Sequence, residues 1–555
     1  MSDLDKDLVI KIQKYLTEKQ FRRLKYEIDL IGDVEKQHPL IIFYYASSIV
    51  LNTNSKNADL LFAEELFEKV YLLRNDLKSL YNMIAISFKT KHFKRVFPHV
   101  LKEYKKNNKD NNLIEGIAKI NFFLGNNVEA IKYFKIFFDN NPNTTDYLTS
   151  FISALNYISG IDQKNYLKLC EKYLKPFVNN IKYDKLSNSK ENKKIKIGFL
   201  SGDFKTHSVS FFLKGLISNI NKEKFEIIFF SNLDISKHDD YTNFFKSFSN
   251  QWFDIFSLED DLVIEKVRSL NLDVLIDLSG FFEGNRLQVL VNRCAKIQIG
   301  WLGYNNSLGI KNLDYLIADF NLVKSDEQNQ YSEKILFLPK IWNAMPIPKD
   351  LPNIKANKDK SKNIFSFGSF NNYQKLSNET IKLWSKILID TNSQIYLKSS
   401  IMGSKDIKEN ILNKFFQCGV KNSQIIFLDR TKKFSDHLEL YYKIDLALDT
   451  FPYPGVTTSF EAILMGVPVL TMKGFNFNSR CGESIFKNLA LSELIAEDEN
   501  DYYKKAIYLM NKNNLSKVSG LKLREKAISS PLFDTVTFAE NFEKIIKQTY
   551  NKINK

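Results

Sequence analysis

The segment Gly455-Val-Thr-Thr-Ser-Phe-Glu461 combines a glycine, two threonine hydroxyls and, about one helical turn further on, a carboxylate. It lies between two strand-length apolar runs, Ile444-Asp-Leu-Ala-Leu-Asp449 and Val469-Leu-Thr-Met472, and follows the turn-forming Phe451-Pro-Tyr-Pro454. Such a turn at a helix start gathers free backbone N–H groups, two hydroxyls and the positive end of the helix dipole, which suits a phosphate. Glu461 is then placed to hold the two hydroxyls of a ribose. An ordinary capped helix uses the same residues, because Thr and Ser are good caps anyway. The rest of the chain has to decide.

Four further spots follow strand-like runs, where the cleft of an open αβ sheet lies. Ser201-Gly-Asp-Phe-Lys-Thr-His207 is one; its small residues permit a tight turn, and His207 stands near a helix start, as a cap or as a group facing the cleft. Asp277-Leu-Ser-Gly-Phe-Phe-Glu-Gly-Asn-Arg286 carries Gly280 and Gly284, which let backbone amides approach a ligand or simply turn the chain. Gly368-Ser-Phe-Asn-Asn-Tyr-Gln-Lys375 sets a lysine ahead of a helix over 378–388, where it reaches a diphosphate as a mobile point charge or lies on the surface. Asp429 to His437 leads into another helix, where His437 stacks on a base or caps the helix. The chain has no GxxxxGK[ST] loop, GxGxxG, HExxH or GxSxG, which excludes the commonest nucleotide hydrolase, dehydrogenase, protease and esterase readings. No acidic pair with metal-ligand spacing stands at a strand end, so a site without metal or other cofactor is expected.

The elements that must position these residues fall into blocks. At 555 residues, two to four domains are expected. Residues 1–186 read as helix after helix, with a degenerate period of roughly 34 residues marked by Ala63/Phe67, Phe97/Leu101 and Ala130/Phe134. Ala85 and Ala118 fill small-residue positions of the same pattern, a tetratricopeptide-like solenoid. A polar linker, 187–194, precedes alternating strands and helices over 195–345; a Pro- and Lys-rich hinge, 346–363, precedes a second alternation over 364–532, and a helical tail fills 533–555. That alternation predicts two parallel, doubly wound lobes facing a cleft.

The formal charge of +15 is spread along the chain without a basic block or a nucleic-acid module, so a solvated basic surface is expected rather than a nucleic-acid groove. Cys170, Cys294, Cys418 and Cys481 lie far apart without CxxC spacing, which suits a reducing compartment. The acidic start is not a signal peptide, and no apolar run approaches ~18 residues, so a cytoplasmic protein without a membrane span is expected.

Taken in order, Ser-Gly-Asp-Phe-x-x-His207, Asp-Leu-Ser-Gly280, Gln298-Ile-Gly-Trp-Leu-Gly-Tyr304, Phe370-Asn-x-x-x-Lys375, Asp-x-x-Leu-Asp-Thr450 and Gly-x-Thr-Thr-x-x-Glu461 resemble the O-linked N-acetylglucosamine transferase family. Ser332-Glu-Lys-Ile-Leu-Phe-Leu-Pro339 and Gly466-Val-Pro-Val-Leu-Thr471 stand in matching places. The resemblance covers about residues 195–515 and implies the two-lobed GT-B fold behind a tetratricopeptide-like solenoid that presents polypeptide acceptors. It also implies metal-free transfer of a sugar from a nucleotide diphosphate to protein side chains, with inversion. Lys375 would then neutralise the departing diphosphate, which Thr457 and Thr458 bind at the helix start opened by Gly455. Asn372 would contact the donor phosphate, His437 the base and Glu461 the ribose. His207 would line the acceptor side as a candidate for proton handling, with Asp203, Gly280 and Tyr304 as further cleft candidates. UDP-N-acetylglucosamine is the expected donor, with GDP-fucose and UDP-hexoses as alternatives. The alternatives to a protein-modifying enzyme are a transferase acting on a glycan or small molecule and an inactive repeat scaffold. The sequence departs from the family's pattern after Trp301 (Leu-Gly-Tyr-Asn-Asn-Ser-Leu-Gly309), after Gly280 (Phe-Phe-Glu283), and at Val456 and Phe434, where the animal enzyme has His and Lys.

Overall fold

A computed structural model describes residues 3–30, 32–34, 38–178, 194–354, 364–399 and 402–553. The chain forms two compact units, Met1–Asn140 with Ile401–Ile411, and Asn141–Ser400 with Leu412–Lys555. Most of the expected linker and the second half of the expected hinge lie outside the described residues.

In the first unit the helices Asn57–Arg74, Leu77–Thr90, Val96–Lys106, Asn111–Phe123 and Asn127–Asn140 pack consecutively. Ala63, Phe67, Ala130 and Phe134 are fully buried, as the tetratricopeptide-like period requires. The middle repeat is displaced by one residue: Val96 and Val100 are buried, whereas Phe97 and Leu101 are half-exposed. Aromatic size is the misleading cue there, because β-branched valines fill the helix–helix contact. Ala85 is also exposed, so it does not fill a small-residue position. The close approach is made by Gly116, where a Cβ would meet Ile84 Cδ1 at 3.0 Å. Residues after Ile401 join this unit through Asp406, whose carboxylate accepts the Phe93 and Lys94 amides at 2.6 and 2.7 Å.

The second unit holds two sheets. β1 (Ile195–Ser201), β2 (Phe225–Ser231), β3 (Gln251–Asp254), β4 (Leu272–Asp277), β5 (Ala295–Gly300), β6 (Tyr315–Asp319) and β7 (Lys334–Leu338) pair in the order β3-β2-β1-β4-β5-β6-β7. β8 (Ser366–Ser369), β9 (Gln394–Leu397), β10 (Ile425–Phe427), β11 (Leu446–Leu448), β12 (Val469–Met472) and β13 (Ile495–Ala496) pair as β10-β9-β8-β11-β12-β13. All ladders are parallel. Their central strands are buried apolar runs, as a sheet covered on both faces demands. Neither β3 nor β13, a polar strand and a two-residue strand at sheet edges, carries a local strand signal, and β6 and β7 lie outside the strand-like runs read from the sequence. Both sheets reverse strand order at a switch point, between β1 and β4 and between β8 and β11, where ligands bind in such folds.

The helices Leu148–Asn156 and Gln163–Tyr173, assigned from sequence to the helical domain, pack with the lobes instead. Asn156 Nδ2 donates to Tyr304 Oη at 2.7 Å, and Gln163 Nε2 donates to Asn306 Oδ1 at 2.8 Å. On the other lobe, Asn476 Nδ2 donates to Gln163 Oε1 at 3.2 Å. The C-terminal helix Thr535–Ile553 returns to the first lobe, with Phe538 and Phe542 packed on Trp301 at ring separations of 6.1 and 5.1 Å. The four cysteines are free thiols. Among the described residues, no helix is long and apolar enough to cross a membrane.

Candidate active site

The second-lobe site is organised by Asp449, one residue beyond β11. Its Oδ1 accepts from the Gly455 amide at 2.7 Å, the Thr450 amide at 3.0 Å and Asn371 Nδ2 at 3.0 Å, and its Oδ2 from Thr471 Oγ1 at 2.9 Å. Burial pushes this carboxyl up to about 6, against the pull of the Gly455 amide, the Thr471 hydroxyl, Lys375 and Asn371. The loop is thus pinned from the β8 side and the β11 side of the switch point. Gly455 is required by crowding: a Cβ there would meet Thr458 Oγ1 at 2.3 Å and Asn371 Oδ1 at 2.5 Å.

The helix Thr457–Leu464 starts directly after this loop, and no side chain caps it. Its two threonines have different surroundings. Thr458 Oγ1 donates to Asn371 Oδ1 at 2.8 Å, while the Thr457 hydroxyl has no partner among the described residues. Lys375 approaches from the β8 side. Its Nζ donates to Pro454 O at 2.8 Å and lies 3.9 Å from the centre of the Tyr453 ring. Burial draws its ammonium down to about 8, opposed by the neighbouring Asp449 and Cys481.

Glu461 is buried in the same helix and faces a polar chain. His437 Nε2 lies 3.0 Å from Glu461 Oε2, and the Tyr441 hydroxyl is 3.1 Å from both that oxygen and the Thr458 carbonyl. Lys398, just beyond β9, places its Nζ 2.5 Å from His437 Nδ1. An ammonium donating there leaves the imidazole proton on Nε2, directed at the carboxylate. Phe370 and Phe434 flank the imidazole at 5.9 and 6.0 Å.

Across the cleft, His207 caps the helix Ser208–Asn219 by accepting the Val209 amide at its Nδ1, 3.4 Å away. The same nitrogen is 3.5 Å from Asp203 Oδ2, and the imidazole is 43% exposed. Burial lowers the His207 pKa, partly offset by Asp203, and raises that of Asp203, partly offset by His207. The lobes meet beside this site through Phe211 on Phe434 at 5.5 Å and Phe212 on Phe460 at 5.0 Å. On another side they are clasped by polar groups: the buried Arg480 donates from Nη2 to the half-buried Glu327 Oε1 at 2.8 Å, and Ser484 Oγ donates to the buried Asp319 Oδ2 at 2.7 Å.

The structure therefore brings Lys375, Gly455, Thr457, Thr458, Glu461 and His437 into one connected cluster. It places His207 and Asp203 together on the facing lobe. Asn372 lies outside: it is exposed, and its side chain accepts the Gln374 amide at 3.3 Å. The adjacent Asn371 is the amide that lies inside. Tyr304 is buried, its hydroxyl held by Asn156 and Tyr166, so it braces the lobe from within. Gly280, at φ +53°, is needed because a Cβ would meet Tyr304 Cβ at 2.3 Å. Sequence reading passed over Lys398 and Tyr441, and saw Asp449 only as part of a motif. Lys398 and Asp449 directly follow β9 and β11, a position that marks both.

Two doubly wound lobes, each with candidate residues at its switch point, define a protein of the GT-B class. The chain belongs to glycosyl transferase family 41, whose family model matches residues 163–347 and 354–542. It is similar to a tomato (Solanum lycopersicum) protein described as a probable UDP-N-acetylglucosamine–peptide N-acetylglucosaminyltransferase SPINDLY, 29% identical over 412 residues. That alignment covers 72% of this chain and 43% of the tomato protein. An Arabidopsis thaliana protein described by the same probable activity, SEC, is 24% identical over 371 residues, covering 65% of this chain and 37% of its own. The match thus spans well under half the length of these plant relatives. A solved O-GlcNAc transferase mutant from Thermobaculum terrenum shares the fold at a TM-score of 0.80 and 22% identity, covering 93% of this chain and 99% of that one.

Proposed function

We propose that this chain is an inverting, metal-independent glycosyltransferase that moves N-acetylglucosamine from UDP-N-acetylglucosamine to serine and threonine hydroxyls of proteins. The observation that carries this reading is the convergence of the Lys375 ammonium, the uncapped helix start at Thr457 and the Asp449-pinned loop at one switch point. Glycosyl transfer builds negative charge on the departing diphosphate, and preorganised amides, a hydroxyl and a lysine stabilise that charge most where it grows. The acceptor oxygen bonds to the anomeric carbon as the bond to the diphosphate oxygen breaks, and the bonding pair leaves with the phosphate. The acceptor proton passes to His207 or to a phosphate oxygen. His207 serves as the base at Nε2 only in the tautomer that carries its proton on Nδ1 toward Asp203, which gives up the contact with the Val209 amide. Glu461 holds the ribose through Oε1, since its Oε2 faces His437 and Tyr441. His437, between Phe370 and Phe434, lies against the base. The first unit presents the polypeptide acceptor.

The test is a thermal-shift screen of the full chain with UDP, GDP, UDP-N-acetylglucosamine and GDP-fucose, with and without EDTA, followed by transfer of labelled sugar to protein. A uridine ligand at one hundred times its dissociation constant adds roughly 2.7 kcal/mol of stability. A response to guanosine ligands alone would replace the donor. Label recovered only in lipid or oligosaccharide would replace the acceptor, and no response to any of the four would sink the reading.

A further inference from the structure

We propose that Tyr453 and Tyr157 are positioning residues for Lys375: their neighbouring rings form a face that holds the ammonium at the diphosphate end of the site. A residue from the helices preceding the first lobe thereby reaches the lysine through a single intervening ring. The inference rests on the transferase reading of Lys375.

The geometry is a three-layer arrangement. Lys375 Nζ lies 3.9 Å from the Tyr453 ring centre, and that ring lies 5.3 Å from the Tyr157 ring at an interplanar angle of 31°. Both tyrosines are buried, 8% and 5% exposed. Tyr157 closes the helix Leu148–Asn156, and its neighbour Asn156 is fastened to Tyr304 at 2.7 Å and to Asn306 at 3.0 Å. The outer ring therefore stands on a firm base in the first lobe.

A buried ammonium tends to lose its proton unless something favours the cation. The titratable groups that bear on Lys375 are Asp449 at the end of β11 and Cys481 at the start of the helix Cys481–Asn488. Burial holds the Cys481 thiol neutral, so it brings no charge at neutral pH, and Asp449 spends its oxygens on four donors. Pro454 O accepts one of the three ammonium protons. Among the described residues the negative face of Tyr453 is the further favourable contact, and for this half-buried ammonium it is worth more than at an open surface. Tyr157 prevents that face from turning away.

The test is competitive acylation of lysines across pH 6–10 on the full chain without donor, read by peptide mass spectrometry as a titration midpoint for Lys375. Tyr453→Leu is expected to lower the midpoint by about one pH unit. Tyr157→Leu should lower it by less, and Tyr453→Phe and Tyr157→Phe should leave it in place. The basic limb of kcat/KM for sugar-nucleotide turnover should move with the midpoint. An unmoved midpoint in Tyr453→Leu, or an equal fall in Tyr453→Phe, overturns the proposal. Melting curves establish that each variant folds, and Tyr453→Met carries the same test if Tyr453→Leu does not. A midpoint shift in a chain that turns over no sugar nucleotide supports the stack and sinks the transferase reading, so the two fail separately.

Discussion

The helices beginning at Ser208 and Thr457 each follow a strand at a switch point, yet they treat their orphan amides differently. In the first lobe His207 folds back onto the Val209 amide, so one orphan donor of the helix start is satisfied by its own chain. In the second lobe Val456 makes no side-chain cap, and the amides of Thr457 and Thr458 have no partner among the described residues. An uncapped start leaves N–H groups without intrahelical partners, and an anion can supply what the cap does not. On the proposed reading the difference gives opposite duties to two similar pieces of chain: one holds an exposed imidazole in place, the other would hold charge.

That assignment can be broken at several points. The largest effect is expected from Lys375→Met, which should lower kcat/KM by about 10²–10³-fold, or about 2.7–4 kcal/mol, with the melting temperature kept. Full turnover in that variant would move the charged duty elsewhere. Next is pH. Burial draws Lys375 down to about 8, so its proton is kept below that value and lost above it. UDP affinity should therefore fall as pH rises through 8, by up to about tenfold at pH 9, and Lys375→Arg should push the fall beyond about pH 10. Stability follows the opposite sign: the folded lysine binds fewer protons than the unfolded one between about 8 and 10.5, so its contribution rises across that window. Calorimetric titration and melting curves over the same range check both. Thr457→Val should weaken UDP binding about fivefold, the loss of about 1 kcal/mol for one hydrogen bond. The smallest effect belongs to the capped start. His207→Asn preserves a capping side chain and should leave UDP affinity within about twofold while turnover falls. An equal loss of UDP affinity from the Thr457 and His207 variants would erase the contrast between the lobes.

Much of this site was legible because its signals are local. A strand, a turn with Gly or Pro and a helix start appear within a dozen residues, so Gly455, Thr457, Thr458, Lys375 and His207 could be marked from their own surroundings. The choice between Asn371 and Asn372 was not legible. The two are adjacent and chemically identical, and only the turn after β8 decides that one bonds Asp449 while the other stays exposed beside Gln374. Tyr157 and Tyr453 lie about three hundred residues apart, and no local pattern reports their contact. The middle repeat misled for a related reason: Phe97 is the larger residue, but Val96 has the facing position on the helix. Tyr304 entered as a cleft candidate only through the family motif ending at that residue, and its ring lies buried against Gly280 and Phe281.

The clasp between Arg480 and Glu327 bears on how such proteins can be recombined. Arg480 is 4% exposed and also meets the Leu322 carbonyl, while Ser484 reaches the buried Asp319. A chimera that took one lobe from this chain and the other from a relative without the matching partner would leave a cation or a carboxylate stranded in the interface, a defect that costs about 3–5 kcal/mol in buried pairs. Grafting a new second lobe therefore requires keeping Glu327 and Asp319 matched to Arg480 and Ser484. The unit of exchange is the pair of lobes with its seam, not the single lobe.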